Sequence, residues 1–428
     1  MSTRERAVRA PGLRVAILDD APYVTWHGRH HAVNATFHSF AAALLDVRDA
    51  EGRPAVGQVV LAAPVREADR EPGTLPVDPR IRVAPTLPFD GIAGYLRRAP
   101  ILVAHNAPRL RRAFAGADVV LLRLPASNGL LGATVAVGLG IPRVAFVVGS
   151  VADVVVGQGR PGVPGLAARL VGAKYDAASR LAGTGAVTVV VGEHPVRGGT
   201  LSSLVMPSEI RDRGDAPWPA APPVLRLVYA GRLASGKGLE HLLGAVAMLA
   251  PTPAGVDHPM GPGARLDVRL DLVGDGPETA SLASRAAGLG IADRVRFVGF
   301  VADREPYLRT LEAADVFVSA SPAEGFPKAV LDAMAAGIPV IAVPAGQLAG
   351  LAAESATPNG AAILPAAAGD AAALARAVRT LVDDLPQALR LRAAGTSFVS
   401  EHTMPAEAAR LAAILRQAAG RRSPARFS

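Results

Sequence analysis

The sequence predicts an α/β protein made of two Rossmann-like halves, and three observations point there. Short Val-rich apolar runs recur through the 428 residues, from LRVAILDD at 13–20 to IPVIAVPAG at 338–346. Runs that are apolar at every position suit strands buried on both faces of a parallel sheet. Segments with helical spacing alternate with these runs, as βαβ units require. Between residues 214 and 223, GDAPWPAAPP places four prolines in ten positions and reads as a linker.

The elements follow in order. LRVAILDD is the opening strand, and Ala32 to Leu45 is a helix with Val33, Phe37, Phe40, Ala41 and Leu44 on one face. GQVVLAAPV, ADVVLLRLP, PRVAFVVGS and AVTVVVGEH are further strands of the first half. The second half alternates more regularly. RLVYAGRL, RLDLVGDGP, RVRFVGFV, DVFVSAS and IPVIAVPAG are strands; GLEHLLGAVAMLA, TASLASRAAGLG, EPYLRTLEAA and FPKAVLDAMAAG are the helices between them. A helix runs from Asp370 to about Asp384, and a last one from about Pro405 to Ala419 precedes the basic tail GRRSPARFS. The expected domains are residues 1–215, 216–395, and a 396–428 segment whose helix packs back across the cleft between the halves.

Composition removes several classes of function. Half the residues are hydrophobic and 19% are charged, so the chain has material for large cores and global disorder is excluded. The absence of cysteine excludes disulfides, thiolate metal sites and a cysteine nucleophile. Mean hydropathy is +0.28, which raises the question of a membrane span. A long charge-free stretch, LPASNGLLGATVAVGLGIP, lies between Arg123 and Arg143, but its prolines, Asn, Ser and glycines suit a strand–loop–helix passage instead. The first twenty residues hold only a short apolar run before two aspartates, unlike a signal peptide, so a cytoplasmic protein is expected. Net charge is +8, and 25 basic residues face 18 acidic ones up to residue 215. Three lysines stand among 42 arginines, and two of them, Lys237 and Lys328, fall in motifs.

The first motif is Gly231 to Gly238, GRLASGKG, a glycine-flanked turn from strand to helix. Backbone amides at such a helix start favour an anion, and Arg232 and Lys237 add two cations. A diphosphate is the natural guest; a plain surface turn is the bland alternative. The spacing also matches the start of a P-loop, but the Ser or Thr that holds magnesium there is replaced by Gly238. The second motif is EGFPKAVLD, Glu324 to Asp332. Pro327 suits a first helical turn, and the amides of Gly325, Phe326 and Lys328 can face a sugar or phosphate. Lys328 and Asp332 share a helical face, equally consistent with a solvated ion pair.

Taken in order, GRLASGKG, LVGDGP, RVRFVGFV, AADVFVSAS and EGFPKAVLDAMAAGIPVIA resemble the donor half of GT-B retaining glycosyltransferases, family 4 (glycosyl transferases group 1). The resemblance covers residues 225 to about 390. It implies a GT-B architecture, two Rossmann-like domains facing a cleft, and a nucleotide-diphosphate sugar as donor; UDP is expected ahead of GDP, although the contacts that border the base do not name it. Arg232 and Lys237 would grip the diphosphate, and Glu324 would contact the sugar hydroxyls. Gly231, Gly299, Phe300, Val301, Gly325, Phe326 and Lys328 would complete the donor site. Asp332 stands where the family has the Glu that binds ribose, one methylene shorter, so that contact must shift. The reaction implied is retaining, with no protein nucleophile, no metal and no cofactor beyond the donor substrate.

The first half resembles the family less. Trp26, His27, Gly28 and Arg29, with Ser127 and Ser150 after two strands, are the acceptor-side expectations. His27 and His31 are four apart, as zinc ligands on a helix are, but lack an evident third ligand; a loop without function reads as well. The acceptor class stays open among polysaccharide, lipid and secondary metabolite, and no nucleic acid is expected. Arg97, Arg98, Arg109, Arg111 and Arg112, with Leu110 among them and Phe114 just after, suggest peripheral contact with an anionic membrane or simply a solvated basic helix. A non-catalytic GT-B partner of another transferase and a P-loop-type hydrolase are the alternatives.

Overall fold

The computed structural model describes residues 12–33, 35–72, 74–148, 162–190, 205–214, 216, 218, 224–249, 267–322, 328–353 and 356–421. The chain divides into two compact units. The first takes the residues before 205 described here together with the last helix, Met404–Gly420; the second takes 205–403.

The first unit is built on a parallel sheet of β1 (Leu13–Leu18), β4 (Val56–Glu67), β6 (Ile81–Thr86), β7 (Val119–Leu124), β8 (Arg143–Val147) and β9 (Val187–Val190). Its spatial order is β6-β4-β1-β7-β8-β9, with every pairing parallel. That is the 3-2-1-4-5-6 order of a dinucleotide-binding sheet. The strands are nearly continuous in buried apolar residues, since helices cover both faces: Val15 and Ile17 look to one side, Ala16 and Leu18 to the other. The last helix joins this core, placing Leu411 and Leu415 in the cluster that holds Phe37, Phe40 and Phe146.

Three short strands extend the sheet from the far end of β4. β2 (Tyr23–Trp26) and β3 (Arg29–Ala32) form an antiparallel hairpin, and β5 (Leu75–Pro76) pairs with β3. His27 and Gly28 form its two-residue turn with φ of 46° and 73°, the left-handed pair that such hairpins require. The 27/31 histidine spacing is therefore hairpin spacing, not helical. His27 is exposed at the turn and His31 is buried, its Nδ1 3.3 Å from the Thr74 carbonyl oxygen. The predicted helix from Ala32 begins at Ala35 instead, because the hairpin takes Ala32.

The second unit repeats the order in a smaller sheet. It holds β10 (Val224–Ala230), β11 (Asp267–Val273), β12 (Val295–Gly299), β13 (Val316–Ser319), β14 (Val340–Ala342) and β15 (Leu364–Pro365). They lie as β12-β11-β10-β13-β14-β15, all parallel. Leu242, Val246, Leu374 and Val378 seal one face of its core.

The second unit begins at Val205, eleven residues ahead of the boundary expected at 215/216. Contacts explain this: Arg211 N–H donates to the Ala335 carbonyl at 2.7 Å, and Glu209 pairs with Arg304. Even Trp218, inside the proline-rich segment, donates its Nε1 hydrogen to the Asp315 carbonyl at 2.9 Å. Leu124 ends β7 and Gly129–Gly138 is a ten-residue helix, so the charge-free stretch forms a strand–loop–helix passage. Among the described residues no helix is long and apolar enough to cross a membrane.

Candidate functional site

All six strands of the second sheet are parallel, so their carboxyl ends share one edge. The order reverses between β10 and β13, and such a switch point opens a crevice where open α/β sheets bind ligands. The GRLASGKG turn leaves β10 there. Gly231 N–H donates to the Val273 carbonyl at 2.9 Å, and Leu233 N–H to the Asp275 carbonyl at 2.9 Å, laying the turn against LVGDGP. Gly274 N–H in turn donates to the Gly299 carbonyl at 2.8 Å, tying in the end of β12.

Two glycines show how close these loops come. A Cβ on Gly274 would stand 2.0 Å from the Gly231 carbonyl oxygen, and one on Gly238, where φ is +68°, would stand 2.2 Å from that of Ala320. Neither position admits a side chain. Gly238 therefore has no room for the P-loop hydroxyl, a structural reason against the hydrolase alternative. The helix Leu239–Leu249 starts directly after it, so its first turn lies beside exposed Arg232 and half-buried Lys237, with the His241 and Leu242 N–H groups donating to the Gly238 carbonyl.

Phe300 is 77% exposed and Val301 half-buried beyond β12. Lys328 opens the helix Lys328–Ala335 that follows β13. Glu324, Gly325 and Phe326, like Ser150, lie outside the described residues.

Asp332 has partners that sequence reasoning missed. Its carboxylate, 7% exposed, lies with Oδ1 2.8 Å from Arg304 Nη2. Tyr307 donates its hydroxyl to Oδ2 at 3.1 Å. Arg304 also donates through Nε and Nη2 to the two oxygens of Glu209, at 3.0 and 2.8 Å. Burial pushes the Asp332 carboxyl above the usual range, while Arg304 and Tyr307 pull it back.

The corresponding edge of the first unit carries a second polar constellation. Asp20, just past β1, accepts from the Asn128 backbone N–H and from its Nδ2, both at 2.8 Å. Burial raises the Asp20 carboxyl to about 6, against these bonds. Ser127 Oγ and Tyr175 Oη are 2.8 Å apart, and Tyr95 and Tyr175 both feel the Asp20 charge. On the other face of β1, fully buried Asp19 accepts from Arg123 Nη1 at 2.8 Å. Asn128 follows its strand beside Ser127, as the sequence suggests, whereas Asp19, Asp20 and Tyr175 were not singled out from sequence. The paired aspartates at a strand's carboxyl end were the available signal. Trp26 and Arg29 face one another across the hairpin, flanking His27 and Gly28.

A groove of about 580 Å³ lies at the amino ends of β10 to β12, away from these motifs. Of its lining charges, Arg296 pairs with Asp271, and Arg294 reaches Asp267, outside the lining, at 2.6 Å. Among the described residues no group of three or more His, Asp or Glu is placed to hold a metal ion.

Comparison with known proteins agrees with this geometry. Sucrose-phosphate synthase from Thermosynechococcus elongatus superposes over 95% of this chain and 98% of its own, with a TM-score of 0.62 at 19% identity. The fold is GT-B. Residues 225–384, the unit that carries the glycine turn, match the family described as Glycosyl transferases group 1. The 2-deoxystreptamine glucosyltransferase of Streptomyces kanamyceticus is 34% identical over 174 residues, 40% of either protein. A GDP-mannose-dependent alpha-(1-6)-phosphatidylinositol dimannoside mannosyltransferase of Mycobacterium tuberculosis is 35% identical over 122 residues, 28% of either. The matched region thus spans two-fifths or less of these relatives.

Proposed function

We propose that the chain is a glycosyltransferase that moves a sugar from a nucleotide-diphosphate donor to a hydroxylated acceptor, retaining the anomeric configuration and needing no metal. The observation that carries this reading is the glycine-built turn at the second unit's switch point, with Arg232 and Lys237 on it, inside the segment that matches glycosyl transferases group 1. Arg232, Lys237 and the amides before Leu239 receive the diphosphate. Glu324, Gly325, Phe326 and Lys328 serve the sugar and phosphate. Gly299, Phe300 and Val301 border the base, and Asp332 meets the ribose.

In this mechanism the leaving diphosphate takes the acceptor's proton on the face from which it departs. The two cations stabilise the charge that develops on it, and such preorganised stabilisation is the largest catalytic contribution. The acceptor belongs to the first unit, where Asp20, Ser127 and Tyr175 offer hydroxyl-binding groups; Trp26, His27, Gly28, Arg29 and Ser150 are further contacts on that side. A peripheral, cytoplasmic enzyme fits the basic helix treated below.

A screen of nucleotide sugars for turnover, read by mass spectrometry, tests the assignment. UDP sugars form its first arm, and GDP-mannose its second because of the mannosyltransferase relative. Turnover should persist in EDTA, and NMR of the product should show the donor's anomeric configuration. Arg232→Ala and Lys237→Ala each lose a charge-assisted contact of about 1.5–3 kcal/mol, a fall of roughly 10- to 150-fold. Binding of a nucleotide sugar without turnover of any would favour a non-catalytic partner, and full activity in the double variant would remove the donor-site assignment.

A further inference from the structure

We propose that Arg304 is a positioning residue for nucleotide recognition: by bridging Glu209 and Asp332 it keeps the shortened acid ionised and aimed at the ribose hydroxyls. The proposal rests on the donor-site reading above. Its basis is geometric. Arg304 opens the helix Arg304–Glu312, five residues beyond Gly299, and its guanidinium lies between two carboxylates. Nε and Nη2 are directed at Glu209, while Nη2 also stands 2.8 Å from Asp332 Oδ1. That approach to Oδ1 is an ion pair off the hydrogen-bond direction, so Oδ1 is a buried oxygen with no directed hydrogen bond. A carboxylate offers about four acceptor positions. The protein fills one on Oδ2 through Tyr307 and leaves Oδ1, closed off from solvent, with acceptor capacity that no directed donor uses.

The chemistry explains why a guanidinium is required. A carboxyl acts as a double acceptor toward a ribose diol only while ionised, and burial works against ionisation at Asp332. The groups facing it are Arg304 and Tyr307 from one helix and Glu209 from the segment that begins the second unit. Glu209 alone among them carries negative charge, so without Arg304 both neighbouring charge and burial favour the protonated acid. Arginine is always charged, and its planar fork serves two carboxylates at once, which an ammonium does not reproduce. Glu209 is fixed in turn, its Oε2 accepting from Met206 N–H at 2.9 Å. A side chain one methylene shorter than the family's Glu thus keeps its place through a second residue.

The test compares calorimetric binding of UDP and 2′,3′-dideoxy-UDP to the full chain, wild type, Arg304→Ala and Arg304→Lys, at pH 6 and pH 8; GDP and its dideoxy analogue replace them if the donor screen selects GDP. Wild type should favour the ribonucleotide by about tenfold or more. In Arg304→Ala at pH 6 that ratio should fall below about threefold and partly recover at pH 8, as the carboxyl ionises. Affinity for the dideoxy analogue should change less than twofold. Arg304→Lys should lie between, and it decides the matter if the alanine variant does not fold. A purely structural ion pair lowers both affinities together; an unchanged ratio in either folded variant therefore overturns the proposal. If neither nucleotide binds wild type, the donor-site reading itself fails. If the nucleotide binds but the wild-type ratio is already near one, that reading stands and Arg304 has no ribose contact to position.

Discussion

The two units share one strand order yet furnish their switch points with different materials. The second unit builds its crevice from backbone: Gly231, Gly238 and Gly274 let three loops touch, and the polar groups presented are amides with Arg232 and Lys237 beside them. The first unit uses side chains. Asp19, Asp20, Arg123 and Asn128 fill the same place in its sheet, with Asp19 and Asn128 fully buried. Amides and cations suit a diphosphate, whose charge is the same whatever the sugar. Carboxylates, an amide side chain and hydroxyls suit an uncharged polyol, and side chains can be exchanged without moving a strand. Under the proposed function, the backbone-built crevice would suit the donor and the side-chain-built one the acceptor.

The largest expected effect breaks the backbone-built side. Gly238→Ser adds a side chain that meets the Ala320 carbonyl at 2.2 Å, at a φ of +68°. Strain and overpacking together cost about 2–4 kcal/mol, and the turn must move away from the diphosphate. The serine also restores the hydroxyl of a P-loop. We expect turnover to fall beyond detection and the melting temperature to drop; retained transferase activity, or new magnesium-dependent hydrolysis, would show that the turn is not packed as described.

Much of this was legible in the sequence. Parallel strands buried on both faces leave continuous Val- and Leu-rich runs, and the second unit's motifs are local strings of eight or nine residues. The glycine turn, its cations and the helix after it are therefore read directly. Long-range pairings are not. Asp20 meets Asn128 across 108 positions, and Arg304 meets Glu209 across 95. Nothing in either neighbourhood marks the other, because the partner is chosen by sheet order and helix crossing. The hairpin was missed for a different reason. His-Gly is a weaker turn signal than Asn-Gly, and the four-residue histidine spacing drew a helical interpretation. The boundary moved because tertiary contacts fasten residues 205–214 to the second unit, whereas composition marks only the prolines that follow.

A middle-sized effect sharpens the side-chain half of the comparison. Asp20 has its folded pKa raised to about 6, mainly by burial. A raised carboxyl contributes stability that is complete below its unfolded value, near 4, and is lost as pH climbs through about 6. Asp20→Asn has no such titration. Denaturant unfolding of both proteins should show wild type losing about 2–3 kcal/mol relative to the variant between pH 4 and pH 7, with most of the change between 4.5 and 6.5. A flat difference would mean that Asp20 is ionised without penalty and has solvent access. If Asp20 also meets the acceptor, the variant raises the acceptor's KM and leaves donor binding alone.

The smallest expected effect concerns the basic helix of the first unit, Gly91–Phe114. Leu110 and Phe114, expected to lie among its arginines as apolar contacts, are completely buried. They belong to the unit's own core and are not available to a membrane. The most exposed large apolar residues of this helix are Leu96, at 60%, and Ile101, at 54%, with exposed Arg97 and Arg98 alongside. Arg109 and Arg112 bond back to carbonyls of their own helix, His105 and Pro108, but keep their charge. Each basic residue near an anionic surface contributes about 1 kcal/mol, and two apolar side chains add modest insertion. Such a patch gives reversible docking, weaker than a lipid anchor and sensitive to salt. Sedimentation with anionic vesicles at two salt concentrations, and with neutral vesicles at the lower one, measures it. Binding should be selective for anionic lipid and fall with salt. Arg97→Gln with Arg98→Gln should weaken it more than Arg111→Gln with Arg112→Gln, since only the first pair flanks exposed Leu96. Equal losses from the two pairs would reduce the contact to general charge attraction, and recovery in the supernatant throughout would leave a solvated helix.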